Sequence, residues 1–290
     1  MAKYDVGILG AGRMGAAFVR HFAAQGLDVA VWNRSPDKAE ALVSSKVTAL
    51  SAADELLDQA DLVINLVSGY ENLEKILRGR QSQSPIDLLN LSTGTPGEAL
   101  AMLSALPEGS RYLDGANLNF PQDIGSERGF IGFAGSAQLW HEHRELFTSL
   151  SGDTAYLSDD ASSANVLDAG YVGIFEIPSI VAFLESADYL AGNGISDDVV
   201  QKLIDVQARN LGGVLREVFA ERSTGVSPGS AALGTYGLAA QLYRETVGKA
   251  GHFPKQLEAA RTALDGAIAA GLGESSIAAL VGRADSVRNC

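Results

Sequence analysis

The chain has 290 residues, 46% of them hydrophobic, with a formal net charge of −13 and an isoelectric point near 4.7. That length and apolar content build a large core and favour two domains, while the acidic balance repels a phosphate backbone and excludes nucleic acid as a partner. The single cysteine, Cys290, excludes a disulfide framework and a thiolate metal cluster; with Met1-Ala2-Lys3 leading directly into a strand, the expected location is the cytoplasm.

In chain order, Val6-Gly7-Ile8-Leu9 predicts a strand that turns on Gly10, Gly12 and Gly15 into a helix over 16–25. In this G-x-G-x-x-G arrangement the first glycine allows the tight turn. The second removes the side chain that would block a pyrophosphate, and the third lets helix and strand pack closely. The helix start offers unpaired N–H groups and the positive end of its dipole, with Arg13 and Met14 beside the anion. A second strand follows over 28–32, and its tip reads Asn33-Arg34-Ser35, with Lys38 one turn further on. A site for NAD places a carboxylate there. Here Arg34 can stack on adenine and grip a 2′-phosphate, with Asn33 and Ser35 donating to it, so NADPH is the expected cofactor.

Beyond these motifs the pattern predicts a helix over 36–44, a strand over 47–50, a helix over 52–59, and a fully buried central strand over 61–67. A helix over 72–77, a strand over 86–91 and the helix-opening loop Ser92-Thr93-Gly94-Thr95-Pro96 come next, then short strands over 111–114, 129–134 and 155–157. Such alternation predicts an α/β Rossmann domain over 1–160 with a doubly wound, mostly parallel sheet. Ligands in these sheets sit beyond the carboxyl ends of the strands, which adds Val67, Ser68, Ser92 and Thr93 as cofactor contacts.

From residue 161 strand patterns vanish, and an all-α domain is expected over 161–290. It opens with a long interdomain helix over about 162–191, kinked at Pro178, followed by helices over 196–220, 230–250, 254–270 and 275–283. The first would be about 45 Å long and apolar on most faces, so a second copy of the chain is its simplest packing partner. Glu176, Pro178, Glu185 and Asp188 argue against a membrane span.

The histidines show no metal-ligand spacing, so no metal site is expected. No lysine occurs between Lys75 and Lys202, and the ionisable residues near the start of the long helix are Asp168, Tyr171 and Glu176. At about 100° per residue, Asp168, Tyr171, Val172, Phe175 and Ser179 share a face. A carboxylate on so apolar a stripe is costly without a purpose or a partner; the plainer alternative is a helix-start acid held by dipole and solvent.

The order of the glycine fingerprint, Trp32-Asn33-Arg34-Ser35, a buried strand, Leu91 to Pro96, Tyr112-Leu113-Asp114-Gly115-Ala116 and Pro121-Gln122-Asp123-Ile124-Gly125 resembles the imine reductases. These are relatives of the β-hydroxyacid dehydrogenases, in the 6-phosphogluconate dehydrogenase-like superfamily, and the likeness continues through 251–254 and 271–280. The resemblance implies NADPH-dependent hydride transfer to a C=N bond to give an amine. It also implies a homodimer with interlocked helical domains, whose active site forms where both chains meet. Asp168 stands where the dehydrogenases carry a catalytic lysine, so the catalytic role falls to it. As a carboxylate it would hold an iminium, and if protonated it would deliver the proton; both roles stay open. Asn117, Phe120, Tyr171, Val172, Phe175, Glu176 and Tyr236 are the expected substrate pocket, although Tyr236 is equally a core candidate. Many relatives carry an aromatic residue where Glu176 stands, and their apolar loop reads Ala116-Asn117-Leu118-Asn119-Phe120 here. Both departures suit a cationic or hydroxylated amine. Two other functions stay open: a β-hydroxyacid or carbonyl dehydrogenase with an atypical acid, and a catalytically idle NADP(H)-binding sensor or scaffold.

Overall fold

A computed structural model describes residues 3–224 and 231–280. Strand β1 (Tyr4–Leu9) leads into helix α1 (Arg13–Ala24), followed by β2 (Val29–Trp32), α2 (Pro36–Glu40), β3 (Val47–Ala49), α3 (Ala53–Gln59) and β4 (Ala60–Asn65). Next come α4 (Tyr70–Gly79), β5 (Asp87–Asn90), α5 (Pro96–Ala105), β6 (Arg111–Asn117) and β7 (Phe130–Gly135). The short helices α6 (Ala137–Glu142) and α7 (Arg144–Thr148) precede β8 (Asp153–Ser158) and α8 (Ser162–Asp168). One sheet takes all eight strands in the order β3-β2-β1-β4-β5-β6-β7-β8. Pairing is parallel from β3 to β6, β7 runs antiparallel to β6, and β8 is parallel to β7.

The expected doubly wound sheet is therefore present, and each predicted strand has its counterpart. Neighbouring residues of a strand feed opposite faces. Val29, Val31, Leu62 and Ile64 enter one apolar cluster, with Phe18 and Phe22 of α1, while Ala30 and Val63 enter the other, with Leu56 of α3 and Tyr70 of α4. Burial on both faces is why these strands read as unbroken apolar runs, and each fully buried large side chain contributes about 1.5–3 kcal/mol. The chain leaves β1 toward β2 and β3, then returns to add β4 on its other side. That reversal opens a crevice beyond the carboxyl ends of β1 and β4.

The chain divides into two compact units between Ile174 and Phe175. The change in sequence texture suggested a border at 160/161. The first unit extends further because Ala164 and Leu167 of α8 pack on Ala116 and Ala134 of the sheet. The second unit comprises α9 (Ile177–Gly192), α10 (Asp197–Thr224), α11 (Leu233–Lys249) and α12 (Lys255–Ala267), with a π-helical turn at Ile268–Leu272 and a 3-10 turn at Ile277–Leu280. That last turn replaces the described part of the helix expected over 275–283; residues 281–283, residue 230 and Cys290 lie outside the described residues. Leu233, Ala240, Leu264 and Ala267 form this unit's small core, against which Tyr236 packs.

The long helix is continuous over Ser162–Gly192 (31 residues), and by length and mean hydropathy of 1.5 it could cross a membrane. Its acids argue for a protein environment instead. Glu185 accepts hydrogen bonds from the backbone N–H groups of Lys255 (3.0 Å) and Gln256 (3.2 Å), capping the start of α12. Between α8 and α9 the helix widens into a π register over Ala169–Glu176. Pro178 is the local cause: it has no N–H to give and its ring excludes the carbonyl of Ile174. The expected kink is thus a widened turn. With more than four residues per turn, Asp168, Val172 and Glu176 come into line, and the face drawn at about 100° per residue through Tyr171 and Phe175 does not hold. Val172 and Glu176 are half-buried, whereas Tyr171 is 45% exposed.

Candidate active site

Each glycine of the fingerprint has a separate structural reason. Gly10 has φ of +103°, and a Cβ there would lie 2.9 Å from the carbonyl of Leu66. A Cβ on Gly15 would sit 1.8 Å from the carbonyl oxygen of Gly10, so only glycine lets α1 approach the turn. A Cβ on Gly12 would meet nothing within 4 Å. The backbone is bare at the start of α1 because space is kept there for something else, and a pyrophosphate on the helix N-terminus fits it.

That space belongs to a cleft of about 410 Å³ lined by Gly10, Gly12, Trp32 to Ser35, Lys38, Leu66 to Ser68, Asn72, Lys75 and Ile76. Arg34, Ser35 and Lys38 are exposed along it, and among the described residues neither Arg34 nor Lys38 has an ion-pair partner. Asn33 behaves differently from expectation. Its Oδ1 accepts from the Ala11 N–H at 2.9 Å and its Nδ2 donates to the Ser35 carbonyl at 3.0 Å, so it ties the tip of β2 to the glycine turn. Arg13 is exposed and lines neither this cleft nor the next. Asn72 and Lys75 were not legible as cleft residues, because only the packing of α4 over the crevice brings them there.

A second cleft of about 350 Å³ shares Leu66, Val67 and Ser68 with the first, so the two adjoin. It gathers Met14, Ser92, Thr93, Asn117 and Asp168 from four separate stretches of sequence. Phe120, 55% exposed, is not part of it, nor are Tyr171 and Val172. Phe175, Glu176 and Tyr236 belong to the helical unit. Asn119 is buried for structural reasons: its Nδ2 donates to Asn117 Oδ1 (2.9 Å) and its Oδ1 accepts from Ser151 (3.2 Å).

Asp168 ends α8 at the wall of this cleft, half-buried, with neither a hydrogen-bond nor an ion-pair partner among the described residues. Burial raises its pKa above the ordinary aspartate value. The cleft also holds Asp114 and Asn165, which the motifs did not single out as site residues. Asp114 is 1% exposed; its Oδ2 accepts hydrogen bonds from Tyr70, from Tyr112 (2.6 Å) and from Asn90 Nδ2 (3.4 Å). Burial pushes its pKa up to about 6, against the opposing pull of these donors, and both phenols are pushed upward by burial and by its charge. Elsewhere Asp87, Glu142 and His143 lie close enough to hold a cation, but Arg111 already bridges both carboxylates.

The fold and the crevice at its glycine turn are those of a dinucleotide-binding α/β domain. Residues 5–90 match the NAD binding domain of 6-phosphogluconate dehydrogenase. In sequence the chain is 31% identical over 181 residues to an NADPH-dependent reductive aminase of Aspergillus oryzae, a match spanning 60% of this chain and 61% of that protein. In structure it resembles an imine reductase from a Pseudomonas species (TM-score 0.88, 23% identity, 96% of this chain and 98% of that one). A reductive aminase from Aspergillus terreus, solved with NADPH and ethyl-5-oxohexanoate, is similar at a TM-score of 0.87 and 23% identity, over 96% and 98% of the two chains. The resemblance carried by the motifs is borne out, and the two-domain fold is that of the imine reductases.

Proposed function

We propose that this protein is an NADPH-dependent imine reductase, and that Asp168 is its catalytic carboxylate. One observation carries the reading. A half-buried acid, unpartnered among the described residues, lines a cleft that adjoins a second cleft with a cationic rim at the glycine turn. Nothing among the described residues neutralises that carboxylate, so it is suited to a positive charge that arrives with the substrate. Beside Asp168 an imine nitrogen is favoured in its protonated form, and an iminium is the better hydride acceptor. The raised pKa of Asp168 equally suits delivery of that proton.

In this reading Gly10, Gly12 and the start of α1 hold the pyrophosphate, Arg34, Ser35 and Lys38 hold the 2′-phosphate, and Met14, Val67, Ser68, Ser92 and Thr93 line the way to Asp168. When bound, NADPH supplies the hydride. The polar departures Asn117 and Glu176 favour a cationic or hydroxylated amine over an apolar one. No apolar side chain of α9 is buried, and Leu184, Phe219 and Tyr243 are 60%, 61% and 63% exposed. A second copy of the chain, in an interlocked homodimer in the cytoplasm, is the proposed cover.

Asp168→Ala is expected to lower turnover of a small cyclic imine at least about tenfold with NADPH affinity retained, and full activity would overturn the assignment. NADPH oxidation with the imine is to be compared with that on a keto acid. Turnover of the keto acid alone would favour the dehydrogenase alternative, and tight NADPH binding without turnover of any imine the idle one.

A further inference from the structure

We propose that Tyr70 and Asn165 are positioning residues for Asp168, oriented by the buried Asp114; this rests on the reading of Asp168 as the catalytic carboxylate. Helix α8 buries two residues, Ala164 and Asn165, and Asn165 is the polar one. Its Nδ2 donates to the Tyr70 hydroxyl oxygen at 2.9 Å. That hydroxyl in turn donates to Asp114 Oδ2. Tyr70 lies at the start of α4, Asp114 in β6 and Asn165 in α8, so three separate elements meet through one phenol.

The direction of each bond follows from chemistry. Ionised Asp114 can only accept, so the single proton of Tyr70 is aimed at it. The phenol oxygen is then left as an acceptor, which the amide of Asn165 satisfies. Tyr112 and Asn90 saturate the same carboxylate oxygen from the sheet side, and Asn65 continues the network, donating to Asn90 and Ser92 at 2.8 Å each. A buried polar network with its members satisfied is rigid, and the loss of one donor leaves another group unpaired.

Asp168 stands three residues beyond Asn165, one turn along the same face of α8. With no partner among the described residues, its carboxylate is placed by the helix that carries it. The turn that carries it is pinned to the first unit at Asn165, immediately before the register widens at Ala169. A helix that changes register there needs a fixed point ahead of the change. Ala164 supplies only close packing, whereas Asn165 supplies a directional bond. The polar network is thus the element that sets the rotation of the turn bearing Asp168, and its cost in buried polar groups has a purpose.

The test uses full-length Tyr70→Phe and Asn165→Ala proteins, assayed with NADPH and a small cyclic imine, with NADPH affinity measured separately by fluorescence. Each variant is expected to lower kcat about tenfold, the scale of a small misplacement of a reacting group, with NADPH affinity unchanged. Tyr70→Phe keeps the ring and the core, so it carries the test if Asn165→Ala fails to bind NADPH. The decisive comparison adds Tyr70→Phe to Asp168→Ala. Residues that act through one another are non-additive, so the residual rate should change by less than about twofold. An equal loss in both backgrounds, or an unchanged kcat in Tyr70→Phe alone, would overturn the positioning role while leaving Asp168 in place. Full activity of Asp168→Ala would instead overturn the catalytic reading and this inference with it.

Discussion

Gly12→Ala separates the nucleotide site from the fold. Gly12 has φ −71° and ψ −173°, an extended backbone open to any residue, and its added Cβ would touch nothing within 4 Å. The free protein should therefore lose no stability, and reduced freedom of the unfolded chain favours it by about 0.4–1 kcal/mol. The bound state is different. A methyl group intrudes where the backbone meets the pyrophosphate, and overpacking of about 1–3 kcal/mol corresponds to an affinity loss of about 10–100-fold. At a concentration one hundred times its Kd, NADPH stabilises the wild-type protein by about 2.7 kcal/mol; a hundredfold weaker affinity leaves about 0.4 kcal/mol. For a chain of this size that is a rise of about 5–10 °C on adding NADPH, reduced to about 1–2 °C in the variant. Thermal melts of both proteins, with and without NADPH, give the four values needed. A variant that melts well below wild type without nucleotide would refute the open-space argument, and one that keeps the full NADPH shift would refute the anion site.

Gly15→Ala is the contrasting change: its Cβ falls 1.8 Å from the Gly10 carbonyl oxygen, so a loss of about 3 kcal/mol or more in urea unfolding is expected, and wild-type stability would contradict it. Arg34→Ala should weaken NADPH binding about 10–100-fold more than NADH binding, since a charged hydrogen bond is worth about 1.5–3 kcal/mol; equal losses for both nucleotides would remove Arg34 from the 2′-phosphate. Asp114 titrates at about 6 in the folded chain against an ordinary 3.8, so between these values the native state binds more protons than the unfolded one. Its contribution is therefore complete below about pH 4 and lost as pH rises through about 6, a change of about 3 kcal/mol. Asp114→Asn should flatten that part of the stability profile, measured by urea midpoints from pH 4 to 7, and an unchanged slope would place the titration elsewhere.

Much of the first unit is written locally. Strands buried on both faces announce themselves as apolar runs, and the Thr95 side chain accepting from Glu98, with Glu98 returning to the Thr95 N–H, starts α5 just past a visible loop. The fingerprint is largely local, because Gly15 answers to the Gly10 carbonyl and Gly12 to empty space, although Gly10 also answers to Leu66 at the end of β4. Asn33 shows the limit. Its position at the tip of β2 was legible, but its hydrogen bond to Ala11, 22 residues away, is a fact of packing. Face assignment along the long helix failed for a related reason, since the π turn changes the phase that the pattern assumes to be constant.

The amino-acid sequence by itself determined the doubly wound sheet, the cationic rim at Arg34 and Lys38, and an acid at position 168 where a lysine would define a different chemistry. These are one-dimensional signals of period, spacing and residue type. Only the tertiary structure decided that Asp168 has no partner among the described residues, that the two clefts adjoin, and that Asp114, Tyr70 and Asn165 join across 95 positions of sequence between Tyr70 and Asn165. Hydrogen bonds between distant elements leave no periodic trace in a chain, because any polar residue of the right reach serves once the backbone has brought it there.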